Sequence, residues 1–352
     1  MATSLILSAL GCAAISLAAA VDRSCSSFGI NGSQPAEFNF YRFYDFQYSD
    51  AANTNITASN WPLNRTLDKT LAQEKNFSDK AWVEEWSVRN AYKEPANDNL
   101  TALHYITENV FMGEKDGKGF LVLNTSRLAN NTQLGGEIFF RPADVDAVSL
   151  RVSARVYGDT GGVAGFFTYF NDTQESDIEV LLRDDGTRVH FTNQPTLGDE
   201  ENEIPGTTFN RSLPENRTVD EWVVYRLDWL PQLNMSTWYV DGELMETSQI
   251  HVPVVSSTVL INMWSNCGFW SGEMPVWGDA VLEIQWIEML FNASSLAVEG
   301  APEEGVSCQI DTVPEDENSD DSDAVSRATR LDVGLRGWFL AVLTAGIVAC
   351  WF

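Results

Sequence analysis

The sequence predicts an all-β fold, a β-sandwich of two large antiparallel sheets. Apolar and polar residues alternate at the two-residue period of a strand, and turn-forming residues separate the alternating segments. No apolar pattern with a 3.6-residue period is long enough to suggest a layer of helices. The strand pattern extends from about residue 36 to about residue 296 without an internal repeat, a length that one sandwich domain can hold.

Individual strands follow from the same pattern. Leu150, Val152 and Val156 alternate with polar neighbours, which predicts a strand buried on one face only. Trp238-Tyr239-Val240 precedes Asp241-Gly242, a strong hairpin signal. Residues 163–182 are expected to form one strand. Further strands are predicted at 224–229, 258–264 and 280–291, and a few helical turns near 78–86.

Three carboxylates recur at a spacing of two in Glu175-Ser176-Asp177-Ile178-Glu179. Because alternate residues of a strand share a face, the three acids are expected to project together while Ile178 points to the other side. Glycoside hydrolysis needs such a pair of carboxyls, one to attack or stabilise the sugar cation and one to protonate the leaving oxygen. A solvated acidic strand face is the alternative interpretation.

The surroundings of the acids favour a functional cluster. Phe167 and Tyr169 precede them, and no Lys or Arg occurs between Arg155 and Arg183. Acids without a counter-charge repel one another, which raises the pKa of at least one of them. Carboxyls with perturbed pKa values are found preferentially at functional sites.

Both ends of the chain carry apolar segments. Residues 1–20 are predicted to be a secretory signal peptide, because a short apolar stretch ends in Ala18-Ala19-Ala20. Residues 331–352 are predicted to be the removed tail of a glycosylphosphatidylinositol (GPI) signal, after an acidic disordered stalk at 301–330 in which Ser322 or Ser326 is the expected attachment residue. A single-pass tail anchor is the alternative, although about fifteen apolar residues are few for a span.

Twelve asparagines stand two residues before Ser or Thr without an intervening Pro, which predicts a heavily glycosylated surface protein. Glycans are bulky and must lie outside the core, so each of these positions is expected to be exposed. They are Asn31, Asn55, Asn64, Asn76, Asn99, Asn124, Asn130, Asn171, Asn210, Asn216, Asn234 and Asn292.

Three cysteines remain between the predicted signal peptide and the predicted tail, and they permit one disulfide with one thiol left over. We expect Cys25 to pair with Cys308, which would join the two ends of the domain predicted at 21–300. Cys267 would then be free. Pairing of Cys267 with Cys308 is the alternative.

The formal net charge of −28 excludes two classes of partner. A chain this acidic repels nucleic acid and anionic lipid, so membrane contact is expected only through the lipid anchor, and a neutral polysaccharide is unaffected. The three histidines show no metal-ligand spacing, so neither a metal site nor a cofactor is predicted, and a structural calcium ion is left open. We expect an extracellular monomer at the outer leaflet of the plasma membrane or in the cell wall.

Several motifs in order resemble glycoside hydrolase family 16, in its fungal concanavalin A-like glucanase branch. Besides the acidic motif, they are Phe43-Tyr44-Asp45-Phe46, Gly135-Gly136-Glu137-Ile138, residues 161–167, residues 225–229, residues 238–242, Asn262-Met263-Trp264 and Trp270-Ser271-Gly272. The resemblance covers nearly the whole domain. It implies a jelly-roll sandwich with a concave sheet that forms an open glycan cleft.

The resemblance also implies roles for the acids. Glu175 would be the nucleophile, Glu179 the general acid/base and Asp177 the assisting carboxylate, whose negative charge would keep Glu179 protonated. Ser176 departs from the aliphatic residue usual in the family, and it is expected to face away from the cleft. The motif has no extra residue before its last Glu. This compact form resembles the lichenase and cell-wall transglycosylase branches, which also lack it.

Five residues are predicted to bind the glycan. Flat aromatic rings stack on pyranose faces and amides bond hydroxyls, so Trp264, Trp270 and Asn262 are candidates. Tyr169 shares the parity of the acids and is expected to line the cleft, and Asn193 lies near His190, which could contact sugar. For any single Trp, a place in the core is the competing interpretation.

Three functions are consistent with these features. The first is a retaining endo-β-glucanase acting on β-1,3 or β-1,3/1,4-glucan of the cell wall. The second is a transglycosylase that passes the cut glucan to another wall polysaccharide. The third is a lectin-like wall protein without turnover, which intact Glu175, Asp177 and Glu179 argue against.

Overall fold

The computed structural model of the chain describes residues 25–31, 34–47, 80–198, 200, 202–296 and 306–310. The predicted signal peptide, Ser322, Ser326, the C-terminal tail and the sequons at Asn55, Asn64 and Asn76 lie outside these residues. The described elements are β1 (Ser27–Ile30), β2 (Ala36–Phe38), β3 (Phe40–Asp45), α1 (Lys80–Glu85), β4 (Trp86–Val88), β5 (Ala91–Lys93), β6 (Ala102–Tyr105), β7 (Val110–Lys115), β8 (Lys118–Arg127), β9 (Thr132–Phe140), β10 (Val145–Gly158), β11 (Val163–Asn171), β12 (Gln174–Leu181), β13 (Arg188–Asn193), β14 (Thr208–Ser212), β15 (Val223–Leu230), β16 (Met235–Val240), β17 (Glu243–Ser248), β18 (Thr258–Trp264), β19 (Asp279–Ala293) and β20 (Ser307–Gln309).

Two antiparallel layers make up the domain. The front sheet has the order β14-β13-β12-β11-β18-β9-β4. The back sheet has the order β17-β16-β15-β10-β19. Beyond β19, strand β3 pairs with the second half of β19 and β8 pairs with its first half. Strand β7 pairs with β8 and forms the edge of the sheet. The first half of β9 pairs with β6 and β8, so this strand links the layers. The predicted all-β jelly-roll sandwich is confirmed.

One continuous apolar core fills the space between the two sheets. Ile178 and Val180 of β12 lie in it and are at most 1% exposed. The ring of Phe166 from the front sheet stacks on that of Tyr225 from the back sheet, with centroids 5.2 Å apart. Burial of these aliphatic and aromatic side chains, at about 25 cal/mol per Å² of apolar area, is the main force that holds the layers together.

The hairpin β11–β12 replaces the single strand predicted at 163–182. The chain turns at Asp172 and Thr173, where the Asn171 side chain accepts hydrogen bonds from the backbone N–H and the hydroxyl of Thr173. Asn171 and Asp172 are turn-forming residues that interrupt the apolar run. The prediction was therefore wrong in the number of strands, while the face of the acids follows from β12 alone.

Strand β10 is buried on both faces, contrary to the prediction of one polar, exposed face. A small sheet, in the order β2-β1-β20, covers the outer face of the back sheet. Beneath it, Arg151 is 1% exposed and donates to Glu288 Oε2 at 2.9 Å and to the Ile310 carbonyl at 3.1 Å. The pairing with Glu288 satisfies the buried charge, which explains how an arginine can lie there.

The disulfide Cys25–Cys308 connects the ends of the described chain, as predicted, and Cys267 is free. Cys308 belongs to β20, which pairs in parallel with β1. Strand β20 falls within the segment predicted as a disordered stalk, so the boundary predicted at residue 300 was wrong. The packed domain continues to at least Ile310, which is buried in the cluster under the small sheet.

Removal of this disulfide is expected to destabilise the domain. The bridge joins two cysteines that are separated by 283 positions in the sequence. The free energy of unfolding should therefore be about 2–5 kcal/mol lower in the C25S/C308S double variant than in wild type. Urea unfolding followed by circular dichroism measures this. The C267S variant is the matched control and should stay within about 0.5 kcal/mol of wild type. Equal stability of the double variant and C267S would contradict the prediction.

Most described sequons are exposed, as predicted. Asn31, Asn99, Asn130, Asn171, Asn210, Asn216 and Asn234 are exposed, and Asn292 is half-buried. Asn124 is the exception, because its side chain is fully buried and donates to the Ala280 carbonyl at 3.1 Å. A glycan there would disrupt the pairing of β8 with β19, so the prediction that every sequon is exposed was wrong at Asn124.

Candidate active site

The three acids lie on the outer face of the front sheet, which we call the acid face. Strand β12 pairs with β11 without a register shift from Glu175 to Leu181, so Glu175 is opposite Tyr169 and Glu179 is opposite Gly165. On its other side, β12 pairs with β13, where His190 is opposite Glu179. Alternate residues of β12 point into the core, so all three acids share the acid face, as the spacing predicted.

The acids differ in burial. Asp177 is 4% exposed, whereas Glu175 and Glu179 are half-buried. Burial disfavours the charged form of a carboxyl, and it is the largest cause of the raised pKa of each acid. It raises the pKa of Glu175 to about 7 and that of Glu179 to about 7. Repulsion between neighbouring carboxylates adds to the shift at all three positions.

The surroundings of Asp177 favour its protonated form. Burial and the charges of Glu175 and Glu179 on either side raise the pKa of Asp177 well above its ordinary value. Its carboxyl also hydrogen-bonds with that of Glu175, which requires a proton on one of the two. The raised pKa of Glu179 comes from burial first, and the charge of Glu175 adds to it, so the negative Asp177 that was predicted to keep Glu179 protonated is not needed for this.

Positive charge reaches the acids from distant parts of the chain. Lys93 at the end of β5 lowers the pKa of Glu175, in opposition to burial. Arg89, just after β4, forms an ion pair with Glu137 on β9. As expected, strand β12 itself contains no basic residue. In the folded chain, however, the basic residues Arg89 and Lys93 lie near the acid face.

A buried polar group lies across the sheet from Glu179. Gly165 separates Glu179 from Asn262 in the cross-strand register, so Asn262 is on the acid face as predicted. The Asn262 amide donates to Tyr105 Oη at 3.2 Å and to Glu137 Oε2 at 3.1 Å. A Cβ at position 165 would lie 2.7 Å from Asn262 Oδ1, which explains why a glycine separates these two side chains.

The predicted aromatic residues surround the acids at different positions. Trp264 pairs with Val163 at the end of β18 and is half-buried on the same face as Asn262. Tyr169 lies opposite Glu175, and its hydroxyl donates to Asp172 Oδ1 at 2.8 Å. Trp270 belongs to the irregular segment after β18, and its indole N–H donates to Glu179 Oε2 at 2.8 Å. All three remain candidates for glycan contact.

Asn193 does not lie on the acid face. It pairs with Ser176, which points into the molecule and whose hydroxyl donates to Ser236 Oγ at 3.2 Å. Asn193 is fully buried, and its amide donates to the Ile250 carbonyl at 3.0 Å. The prediction of a glycan contact there was wrong. Asn193 and His190 are three residues apart in one strand, so they point to opposite faces, and Thr192 takes the outward position.

Sequence reasoning missed two residues of the acid face. Glu137 is 2% exposed and bonds to Asn262, and Tyr105 on β6 bonds to the same amide. Glu137 stands within the motif Gly135-Gly136-Glu137-Ile138, where an acid in an apolar strand after two glycines was a usable signal. Tyr105 had no such signal, since only the parallel pairing of β6 with β9 brings it close.

The described residues contain neither a metal-binding cluster nor a membrane-spanning helix. Among them, no group of three or more His, Cys, Asp or Glu side chains is placed to hold a metal ion. Within the same part of the chain, no helix has both the length and the apolarity that crossing a bilayer requires.

Comparison with known proteins identifies similar glucanases. No family model matches the chain. A β-glucanase of Bacillus amyloliquefaciens is 30% identical over 115 residues, which are 31% of this chain and 44% of that protein. Among solved structures, the Bacillus licheniformis β-glucanase is 22% identical, with a TM-score of 0.46 over 59% of this chain and 92% of its own. The endo-β-1,3-glucanase of Pyrococcus furiosus is 14% identical, with a TM-score of 0.48 over 76% of this chain and 99% of its own.

The predicted resemblance to β-glucanases is confirmed over this segment of 115 residues. The matched segment spans less than half the length of the B. amyloliquefaciens relative.

Proposed function

We propose that this protein is a retaining endo-β-glucanase that cuts β-1,3 or mixed-linkage β-1,3/1,4-glucan. The observation that carries the proposal is the arrangement of Glu175 and Glu179 on one face with the pKa of each raised to about 7. One such carboxyl can be ionised and the other protonated at neutral pH, as double displacement requires. The sequence similarity to β-glucanases supports the choice of substrate.

In the first step, the Glu175 carboxylate attacks the anomeric carbon as the glycosidic C–O bond breaks. Glu179 gives its proton to the departing oxygen, so the leaving sugar departs as a neutral alcohol. In the second step, the ionised Glu179 takes a proton from water. The water oxygen attacks the anomeric carbon and releases Glu175 as a carboxylate, which restores both groups and retains the anomeric configuration.

Asp177 has a supporting role in this sequence. As a protonated acid it donates a hydrogen bond to Glu175 and so orients the carboxylate that attacks. It also avoids a third negative charge between the two glutamates, which would raise the energy of the ionised nucleophile further. A neutral assisting acid therefore suits the burial of this position.

The remaining acid-face residues suit glycan binding. Trp264 offers a half-buried ring at one end of the row that contains Asn262, and Tyr169 borders Glu175. Asn262 Oδ1 is buried without a hydrogen-bond partner among the described residues, although its amide nitrogen is fully engaged. A sugar hydroxyl that donates to this oxygen would satisfy it, and a buried unsatisfied acceptor gains most from such a partner.

The proposed location is extracellular, with a GPI anchor that holds the enzyme at the membrane or in the cell wall. The disulfide Cys25–Cys308 favours an oxidising compartment, and the exposed positions of most described sequons suit glycosylation. Anchored next to glucan, the enzyme would meet acceptor hydroxyls at high effective concentration, so transfer to another glucan chain is a reaction the assay should detect.

The function is tested by incubation of the secreted protein with laminarin, lichenan and chitin oligomers, with mass analysis of the products. We expect shorter oligosaccharides from laminarin or lichenan and none from chitin. An added labelled oligosaccharide acceptor separates hydrolysis from transfer, since only transfer extends the label. Binding of glucan without any cleavage would contradict the proposal and support a lectin-like protein.

A further inference from the structure

A histidine faces the proposed acid/base across the front sheet. His190 of β13 is the direct cross-strand neighbour of Glu179 and is 6% exposed. Directly opposed residues of adjacent antiparallel strands have Cβ atoms about 4.5–5.5 Å apart, so the two side chains share one environment. The mechanism described above assigns His190 no role.

Both side chains contact the same indole. Trp270 donates its N–H to Glu179 Oε2 at 2.8 Å. The His190 ring packs against the Trp270 ring in an edge-to-face arrangement, with centroids 5.0 Å apart and an interplanar angle of 71°. Trp270 lies outside regular strands, so side-chain contacts decide where its N–H points.

A carboxylate fixes the orientation of the histidine ring. Asp184, in the turn between β12 and β13, lies with Oδ2 2.7 Å from His190 Nε2. An ionised carboxylate only accepts, so Nε2 carries the proton and donates it to Asp184 in either charge state of the ring. The side-chain nitrogen of Asn210 on β14 lies 3.3 Å from the same ring nitrogen.

Arg183 also contacts the segment that contains Trp270. Its guanidinium lies over the Trp270 ring, 5.7 Å from the centroid, and it donates to the Phe269 carbonyl. The charged groups around His190 are thus Glu179, Asp184 and Arg183. Arg183 holds the backbone near Trp270, whereas His190 is the residue that contacts the indole from the same strand pair as Glu179.

We propose that His190, bound to Asp184, is a positioning residue that holds the Trp270 indole N–H on the Glu179 carboxylate. This inference rests on the proposed role of Glu179. A hydrogen bond to the ionised form of a carboxyl favours that form, and the bond from Trp270 lowers the pKa of Glu179 against the effect of burial. Loss of the bond would therefore raise the pKa of Glu179.

The H190A variant tests the proposal through the pH profile. The protonated form of Glu179 is needed in the first step, so its titration sets the basic limb of kcat/KM. We expect this limb to move to higher pH by about 0.5–1 unit in H190A, since one hydrogen bond to the carboxylate is lost. In the H190F variant, the phenyl ring can still contact Trp270 but cannot donate a hydrogen bond to Asp184. The basic limb of its kcat/KM profile should therefore lie between those of wild type and H190A.

A matched control is available in His104. Its ring also packs edge-to-face on an aromatic ring, that of Tyr92, with centroids 5.9 Å apart and an interplanar angle of 78°. Tyr92 on β5 and His104 on β6 are direct cross-strand partners. Their sequence neighbours face the acids, so this pair points to the opposite side. H104A should leave the pH profile unchanged. Equal profiles for wild type, H104A and H190A would overturn the proposal.

A second measurement separates this inference from the proposed function. The indole N–H resonance of Trp270, assigned by its loss in W270F, should shift with pH as Glu179 titrates in the full-length protein. The shift should vanish in E179Q and weaken in H190A. If the wild type cleaves no glucan but these NMR results hold, the positioning role stands and the proposed function fails. If glucan is cleaved and H190A leaves the resonance unchanged, the positioning role fails alone.

Discussion

The E175Q variant is expected to lose glucan cleavage almost completely. Glutamine keeps the size and one oxygen of Glu175 but cannot form the covalent ester with the anomeric carbon, so the first step has no nucleophile. We expect kcat to fall by a factor on the order of 10⁴ or more. The measurement is release of reducing sugar from laminarin or lichenan at pH 7.

Small anions can distinguish the roles of the two glutamates. In E175A, added azide should occupy the space left by the carboxylate, attack from its side and give the α-glycosyl azide. In E179A, azide should instead attack the glycosyl-enzyme and give the β-glycosyl azide, provided that the substrate has a leaving group that departs without a proton. The reverse stereochemistry would exchange the two roles.

The control for these variants is E246Q. Glu246 on β17 is half-buried, like Glu175, but it pairs with Arg211 at the edge of the sheets, away from the acids. E246Q should retain wild-type activity, and circular dichroism should show the same fold for all variants. Full activity in a correctly folded E175Q would remove Glu175 from the mechanism.

The E179Q variant is expected to be more stable than wild type above pH 7. Burial raises the folded-state pKa of Glu179 to about 7 from an ordinary value of 4.5, so the folded protein binds this proton more tightly than the unfolded chain. The stabilising effect of that proton is complete below about pH 4.5 and is lost as pH rises to about 7. Above pH 7 the wild type carries a buried charge that glutamine avoids.

The expected gain is about 1–2 kcal/mol in the free energy of unfolding at pH 8, after allowance for the half-exposed position of Glu179. Glutamine also retains an oxygen that can accept the Trp270 N–H, so this contact is kept. Urea unfolding of both proteins at pH 4.5 and pH 8 measures the effect, and the difference should shrink at the lower pH. A gain that is equal at both pH values would show that charge burial is not its cause.

The part of the site that follows a local period was predictable from the sequence. The spacing of Glu175, Asp177 and Glu179 was sufficient to put them on one face, and strand 258–264 with Asn262 and Trp264 follows from the same alternation. The disulfide partner of Cys25 was predicted by its place near one chain end. These features depend on neighbours in sequence or on simple topology.

Other features depend on pairings that no local pattern reveals. Asn193 faces inward because, in the pairing of β13 with β12, it lies opposite Ser176, which also points inward. Lys93 reaches Glu175 only after β5 and β6 join the edge of β9. Trp270 lies in an irregular segment, where no period indicates direction. Both faces of strand β10 are buried because the small sheet β2-β1-β20 lies on its outer side, which the alternation within β10 could not show.

The small sheet β2-β1-β20 holds the last described residues on the side of the sandwich away from the acids. Ile310 receives a hydrogen bond from Arg151 on the outer side of the back sheet, and the acids lie on the outer side of the front sheet. Ile310 and Glu175 therefore lie on opposite sides of the sandwich. An attachment made at Ile310 would therefore leave the acid face unobstructed and directed away from the point of attachment.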